Sequence, residues 1–328
     1  MKLSQLRQDL VSGDWIVVAP ERKHSLKRSP QRKRAPLASC PFEDPRSIDH
    51  SEPILQVNDP KRGWKLIIVA NKFPAFVHRD VCPTVGNVGP YAVTDGIGHH
   101  DIVITRDHHR DFSSLTRENA REVFQAFQDR CLMLMNDRCL AYIAMFHNWG
   151  PSAGATVYHP HYQLVAIPVV PPDFEHSLRG SQAYFRKHRT CVHCAMVAWE
   201  RKEKKRMLFE NEAAVAFTPF VSRSPFEIRV FPKFHLPFFE NTPERDLASV
   251  VEALQVSLKM VKTSLKDPDY NFFIHTAPMR HKEKYKNYHW HIEVLPKVSV
   301  PAGFELGTGI EINPMDPNQA ARILRRRG

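Results

Sequence analysis

A set of histidine-bearing elements occurs twice in this 328-residue chain, and that repetition restricts the fold more than any other feature of the sequence. The first copy opens with a strand candidate that ends in a histidine, Asp101-Ile-Val-Ile-Thr-Arg-Asp-His108. A helix follows, with Thr116 as its cap and Val123, Phe124, Phe127 and Leu132 on its apolar face. Next come a strand over 140–146 and another that carries His159 and His161. The second copy reads 226–235, ending in His235, then a helix capped by Thr242 with Pro243 in its first turn, a strand over 270–274, and His289-Trp-His291. The spacing is kept, at 159 − 108 = 51 residues in one copy and 289 − 235 = 54 in the other. Long repeats of this kind give two similar halves packed together rather than a solenoid. Each half is expected to be an antiparallel sheet with a long helix on it, so the class is α+β. Residues 1–170 form the first half and 171–328 the second, joined by a linker over 170–189 that contains Pro171-Pro172.

The copies differ where chemistry would be sensitive to it. Gln163 stands two residues after His161, whereas Glu293 stands two after His291. The first copy also has a Gly-containing turn with Asn148, Ser152, Gly154 and Thr156, where the second has the basic loop 280–286. Backbone N–H groups and short side chains in such a turn can face an anion. In an extended chain 159, 161 and 163 share a face, so two imidazoles and a carboxamide converge beside that cradle. A neutral imidazole can attack an α-phosphorus and form a phosphoramidate whose N–P bond breaks readily in the next step, provided its other ring nitrogen is held by an acceptor. Pro160 fixes the backbone between the histidines, and the Gln163 amide can hydrogen-bond phosphate oxygens as charge develops. Covalent nucleotidyl transfer is therefore favoured over plain hydrolysis, with one half catalytic and the other structural.

The formal charge of +11, from 46 Lys and Arg against 35 Asp and Glu, suits a polyanionic partner. Basic residues crowd into 22–34, 201–206 and 325–327. No helix-turn-helix or RNA-binding aromatic motif accompanies them, so a phosphorylated small molecule ranks above nucleic acid. A basic, zinc-stabilised nucleic-acid-binding protein is the reading from another class. No apolar run reaches the length of a membrane span and no signal-peptide segment opens the chain, so a cytoplasmic location is expected. Six cysteines in a chain this long do not make a disulfide framework, and Cys191-Val-His-Cys194 has the spacing of a metal half-site. With His235 and His289 it completes a Cys2His2 set of the kind structural zinc prefers, with His275 and His291 as alternative ligands. The equivalent set in the first half is Cys40, Glu43, His108 and His159, where Glu43 occupies the place of the second cysteine. His99, His100 and His109 read as surface residues or as supports behind the reacting groups.

Several further motifs run the length of the chain: the segment 7–22, Asn71-Lys-Phe-Pro-Ala, Asn148-x-Gly150 with Ala153-Gly-Ala155, His159-Pro-His-x-Gln163, Ser224-Pro-Phe-Glu227 and Gly303-Phe-Glu305. In combination they resemble the galactose-1-phosphate uridylyltransferase family, the transferase branch of the histidine-triad superfamily. The resemblance implies a ping-pong exchange in which UDP-glucose uridylylates His161, glucose 1-phosphate leaves, and galactose 1-phosphate takes up the UMP group. It also implies that Asn71 contacts the base or ribose, that Arg22, Asn148, Thr156 and Gln163 bind phosphates, and that Glu305 holds sugar hydroxyls, reaching into the partner's site in a homodimer. Relatives with the same Gly-Phe-Glu pattern include nucleotide-sugar phosphorylases acting on ADP-glucose, so the alternative is an ADP-sugar or dinucleoside-polyphosphate phosphorylase that gives the nucleotidyl group on His161 to inorganic phosphate. This chain departs from the pattern at Tyr162, where the family usually has a small residue. Glu43 is a second departure. Ser25 and Ser299 fall where members can carry an arginine and a lysine near phosphate.

Overall fold

A computed structural model describes residues 3–27, 36–44 and 52–326. Arg28 to Arg34 of the first basic run and Arg327 of the last lie outside them. The chain opens with β1 (Gln5–Gln8) and β2 (Trp15–Val18). The first unit follows with β3 (Leu55–Asp59), β4 (Gly63–Ala70), a separate hairpin β5 (Gly86–Val88) and β6 (Tyr91–Val93), β7 (His99–Thr105), α1 (Arg117–Leu134), β8 (Tyr142–Trp149) and β9 (His161–Ile167). After α2 (Pro172–His188) and α3 (Val192–Glu203), the second unit has β10 (Met207–Glu210), β11 (Ala214–Phe217), β12 (Ile228–Pro232), α4 (Glu244–Leu265), β13 (Tyr270–His275) and β14 (His291–Pro296). The chain closes with α5 (Gly303–Thr308), β15 (Ile312–Asn313) and α6 (Pro317–Arg325).

The duplication is written into the strand order. One antiparallel sheet runs β10-β11-β12-β14-β13-β8-β9-β7-β4-β3, so each unit contributes five strands in the same order. The units join edge to edge, with β13 pairing β8 in the register Asn271↔Asn148. Pairing the two inner strands satisfies backbone groups that would otherwise lie on two exposed edges. The short N-terminal pair is completed from the far end of the chain, with β15 beside β2.

Helices α1 and α4 pack against each other on one face of the sheet. Val123, Phe124, Phe127, Cys131 and Leu134 of α1 are buried, as are Leu247, Val251, Leu254 and Leu258 of α4. Leu132, expected on the apolar face, is instead half exposed, because it falls one residue off the i, i+3, i+4, i+7 stripe. A reciprocal pair of hydrogen bonds joins the helices. Gln128 of α1 donates to the carbonyls of Phe239 and Thr242 ahead of α4, and Gln255 of α4 donates to those of Phe112 and Leu115 ahead of α1. Thr116 caps α1 as expected, accepting from Asn119 N–H at 3.1 Å. Thr242 does not cap α4. Pro243 is the boundary residue, without a side-chain cap, and the Thr242 carbonyl is turned towards Gln128.

The linker over 170–189 is largely helix, because Pro171 and Pro172 sit at its N-cap and first position, where a missing N–H costs nothing. Cys82 and Cys139 form a disulfide, bringing the loop before β5 against the turn after α1. No helix among the described residues is long and apolar enough to cross a membrane.

Candidate active site

Strand alternation divides the residues around His161 between two faces. Tyr162, His147, Leu164 and Phe272 point into the helix-covered side, where all four are buried. Tyr162 therefore does not crowd a phosphate. Its ring lies 4.5 Å from that of His147 and 5.8 Å from that of Phe112. The opposite face carries His161, Gln163, Asn148, Asn271 and, further along, His275, His291 and Glu293. The register Phe146↔Gln163 and His147↔Tyr162, continued by one step, sets Asn148 level with His161.

His161 is nearly enclosed, and its Nδ1–H donates to the His159 carbonyl at 2.9 Å. That bond places the proton on Nδ1 and leaves the Nε2 lone pair free. Burial lowers the His161 pKa, partly offset by the same hydrogen bond, so the ring is neutral at pH 7. His291 repeats the arrangement in the second half, with Nδ1 3.1 Å from the His289 carbonyl.

Gln163 Oε1 accepts from His100 Nε2 at 3.0 Å. Ala75 N–H donates to His100 Nδ1 at 3.1 Å, which puts the His100 proton on Nε2. The Gln163 amide is thereby oriented with its NH2 group left to donate. The Asn71 side chain lies 3.0 Å from the same His100 nitrogen and accepts from Phe73 N–H, so base-side and phosphate-side candidates meet at one imidazole. His100 was read from the sequence as no more than a support. Its place beside Gln163 follows from the β7–β9 register, which no local motif encodes.

The turn after β8 differs from an open cradle of backbone donors. Ala153 and Ala155 N–H donate to the Gly150 carbonyl, Gly154 N–H to Pro151, and Ser152 N–H to the Asp269 carboxylate. Gly150 and Gly154 have φ of 85° and 89°, and they make this turn possible. The donors left for an anion are side chains. Thr156 and Arg22 are both exposed, and Glu305 accepts from Ala302 N–H at 3.0 Å in the first turn of α5.

Two four-residue clusters have the donor chemistry of a metal site, each with ligand atoms within 4.8 Å of one another. In the first, His159 Nδ1 lies 3.5 Å from Cys40 Sγ and 3.3 Å from Glu43, and His108 Nδ1 lies 2.6 Å from Glu43. His159 Nε2 donates to the Thr105 carbonyl at 2.6 Å, which presents Nδ1 to the cluster. In the second, Cys194 Sγ lies 3.4 Å from Nδ1 of both His235 and His289, with Cys191 completing the set. His235 Nε2 donates to the Lys286 carbonyl. The hydrogen bond between the two thiols lowers the Cys191 pKa and raises that of Cys194, so the pair shares a proton in the absence of a cation. His275 and His291 do not join this cluster and converge with Glu293 instead. Although burial pushes Glu293 up, Arg223 and Arg229 hold its carboxyl well below the usual range. A cavity of about 580 Å³ opens over these residues, with Asp9, Asp173 and Glu311 also on its walls. That surplus of carboxylates suits a phosphate poorly, unlike the Gln163 face.

The sequence profile of a family described as a domain of unknown function, DUF4921, matches residues 91–327. The ADP-glucose phosphorylase of Arabidopsis thaliana is 31% identical over 328 residues, covering 98% of this chain and 92% of the relative. This chain belongs to the galactose-1-phosphate uridylyltransferase-like family. A galactose-1-phosphate uridylyltransferase of Thermotoga maritima is 25% identical over 98% of each chain. The crystal structure of an ADP-glucose phosphorylase from Arabidopsis thaliana with bound ADP-glucose superposes with a TM-score of 0.84 at 29% identity, covering 99% of this chain and 100% of that one. Membership makes the chain an enzyme of nucleotidyltransferase type and accounts for the paired histidine motifs on a duplicated α+β sheet.

Proposed function

We propose that this protein is a nucleotide-sugar phosphorylase that passes a nucleotidyl group through His161, with ADP-glucose as donor. The observation that carries the reading is the Nδ1–H bond from His161 to the His159 carbonyl, which leaves a neutral, nearly enclosed Nε2 facing the open side of the sheet. Nε2 attacks the α-phosphorus, an N–P bond forms, and the bond from that phosphorus to the bridging oxygen breaks to release glucose 1-phosphate. An oxygen of inorganic phosphate then attacks the same phosphorus, the N–P bond breaks, and ADP leaves. Gln163 and Asn148 donate to the phosphoryl oxygens as charge develops, and Arg22 and Thr156 approach from the rim. Gly154 shapes the turn, Asn71 meets the nucleoside, and Glu305 meets the sugar.

The choice of acceptor rests on the greater identity to the phosphorylase. The second reading, uridylyl transfer from UDP-glucose to hexose 1-phosphate, is favoured by the 25% identical relative. In either case residues 1–170 act as the catalytic half and 171–328 as the half that holds zinc at Cys191, Cys194, His235 and His289. Cys40, Glu43, His108 and His159 would hold a second metal, and His159, ligated there, would steady the backbone under His161. Exposed Phe304 and Leu306 beside Glu305 suit a homodimer in which this segment meets the partner.

The test is to incubate the protein with ADP-glucose or UDP-glucose labelled at the α-phosphate, and then to add inorganic phosphate or galactose 1-phosphate. Label on His161 from ADP-glucose, discharged by phosphate, is expected. Label from UDP-glucose alone, discharged only by the sugar phosphate, would replace this reading with the transferase. Label that persists in His161→Ala, or never forms, removes both.

A further inference from the structure

The donors on the His161 face are oriented from behind, and for Asn148 the orienting groups come from the other half of the duplication. Asn271 of β13 faces Asn148 across the seam between the units. Its Nδ2 donates to Asn148 Oδ1 at 2.7 Å and to the Ala153 carbonyl at 2.8 Å. With its oxygen engaged, the Asn148 amide has only its NH2 group to offer on the open face. Asp269, fully buried two residues earlier, accepts Ser152 N–H at 2.8 Å. A Cβ on Gly150 would lie 2.0 Å from the Asp269 carboxylate, so turn and acid are fitted against each other. The backbone donors of 152–155 are already bonded, which leaves the direction of the Asn148 amide to decide what an anion meets there.

We propose that Asp269 and Asn271 are positioning residues for nucleotidyl transfer at His161, so that the second half acts on the chemistry of the first through Asn148 and the 150–154 turn. The proposal rests on the nucleotidyl-His161 reading for its kinetic consequence, but the orientation of the Asn148 amide does not. Asn271→Ala removes the bond to Asn148 Oδ1 and frees its amide to rotate. Asn271→Asp presents an acceptor, drawing the NH2 group of Asn148 towards itself and away from the ligand. Asp269→Asn retains an acceptor for Ser152 N–H, whereas Asp269→Ala does not.

Rapid-quench labelling of His161 with ADP-glucose in the full chain gives the first readout, with urea unfolding of each variant as the control for folding. Loss of an oriented transition-state donor should slow label formation by about tenfold or more in Asn271→Ala and Asn271→Asp. KM should move by less than about threefold, since the donor acts chiefly in the transition state. Asp269→Asn should restore most of the rate lost in Asp269→Ala. The second readout is the side-chain amide ¹⁵N–¹H resonances of Asn148 during titration with ADP, expected to shift in the wild type and not in Asn271→Ala. Wild-type labelling rates in Asn271→Ala, or losses that only track the unfolded fraction, overturn the proposal. Should the wild type take no label at all, the nucleotidyl-His161 reading has failed, and the resonances decide alone. An Asn148 amide indifferent to ADP in the wild type, or equally responsive in Asn271→Ala, then sinks the inference by itself.

Discussion

Replacing Tyr162 with Phe removes one oxygen from the centre of the helix-covered face and leaves every ring contact in place. The side chain is fully buried among Phe112, Phe127, His147 and Phe272, and its hydroxyl has no hydrogen-bond partner among the described residues. Burial, with Asp111 and Asp107 nearby, holds the phenol well above its ordinary pKa, so the group is a neutral, unsatisfied hydroxyl. Leaving such a group without a partner costs about 1–3 kcal/mol, and Tyr162→Phe should stabilise the fold by about that amount. At about 2.1 cal/mol/K per residue, a chain of this length has an unfolding entropy near 0.7 kcal/mol/K, so the melting temperature should rise by about 1–4 °C. Urea unfolding should show a higher midpoint with an unchanged slope. Turnover should stay within about twofold of the wild type, because the residue faces away from His161. A loss of more than about 1 kcal/mol would mean that the hydroxyl has a partner. A tenfold fall in turnover at unchanged stability would mean that residue 162 faces the phosphate after all, and the assignment of faces would be wrong.

Two other expectations concern pH and metal. Burial pushes the His147 pKa down to about 3, against 6.5 for the free side chain. Unfolded chains therefore take up a proton on this residue that folded ones refuse. Its share of stability is complete above pH 6.5 and is lost as pH falls from 6.5 towards 3, by up to about 1.4 kcal/mol per pH unit. Urea midpoints between pH 7 and 4 should fall less steeply in His147→Gln than in the wild type, and equal slopes would refute this. Metal analysis should find about one zinc per chain, approaching two where the Glu43 cluster fills. Cys194→Ser should lose the second-half ion and lower the melting temperature. A metal-free protein of full stability would overturn the assignment.

What could be read from the sequence was whatever local pattern encodes. The repeated order of strand, helix and paired histidines came through because each copy must bury one face of its own strands, which fixes period and order in the residues themselves. The i, i+3, i+4 stripe of α1, the Thr116 cap, the gathering of Cys, His and Glu side chains into two four-residue clusters and the shared face of His161 and Gln163 followed from spacing and from the repeat. Where the reading failed, a distant part of the chain had decided. Thr242 does not cap α4, which has Pro243, one residue later, as its boundary residue, and the Thr242 carbonyl accepts from Gln128 of the other half. In the turn over 150–155 the carbonyls of Gly150 and Pro151 take three of the backbone donors, and Asp269, more than a hundred residues away in sequence, takes the fourth. Cys82 met Cys139, and His100 met Gln163, through strand and loop placements with no local signature. Sequence alone thus determined which residue types line the candidate site and that the unit is doubled. Only the tertiary structure joined the halves through β8 and β13, because the pairing of two strand edges is set by hydrogen bonds between segments whose own patterns do not record their partner.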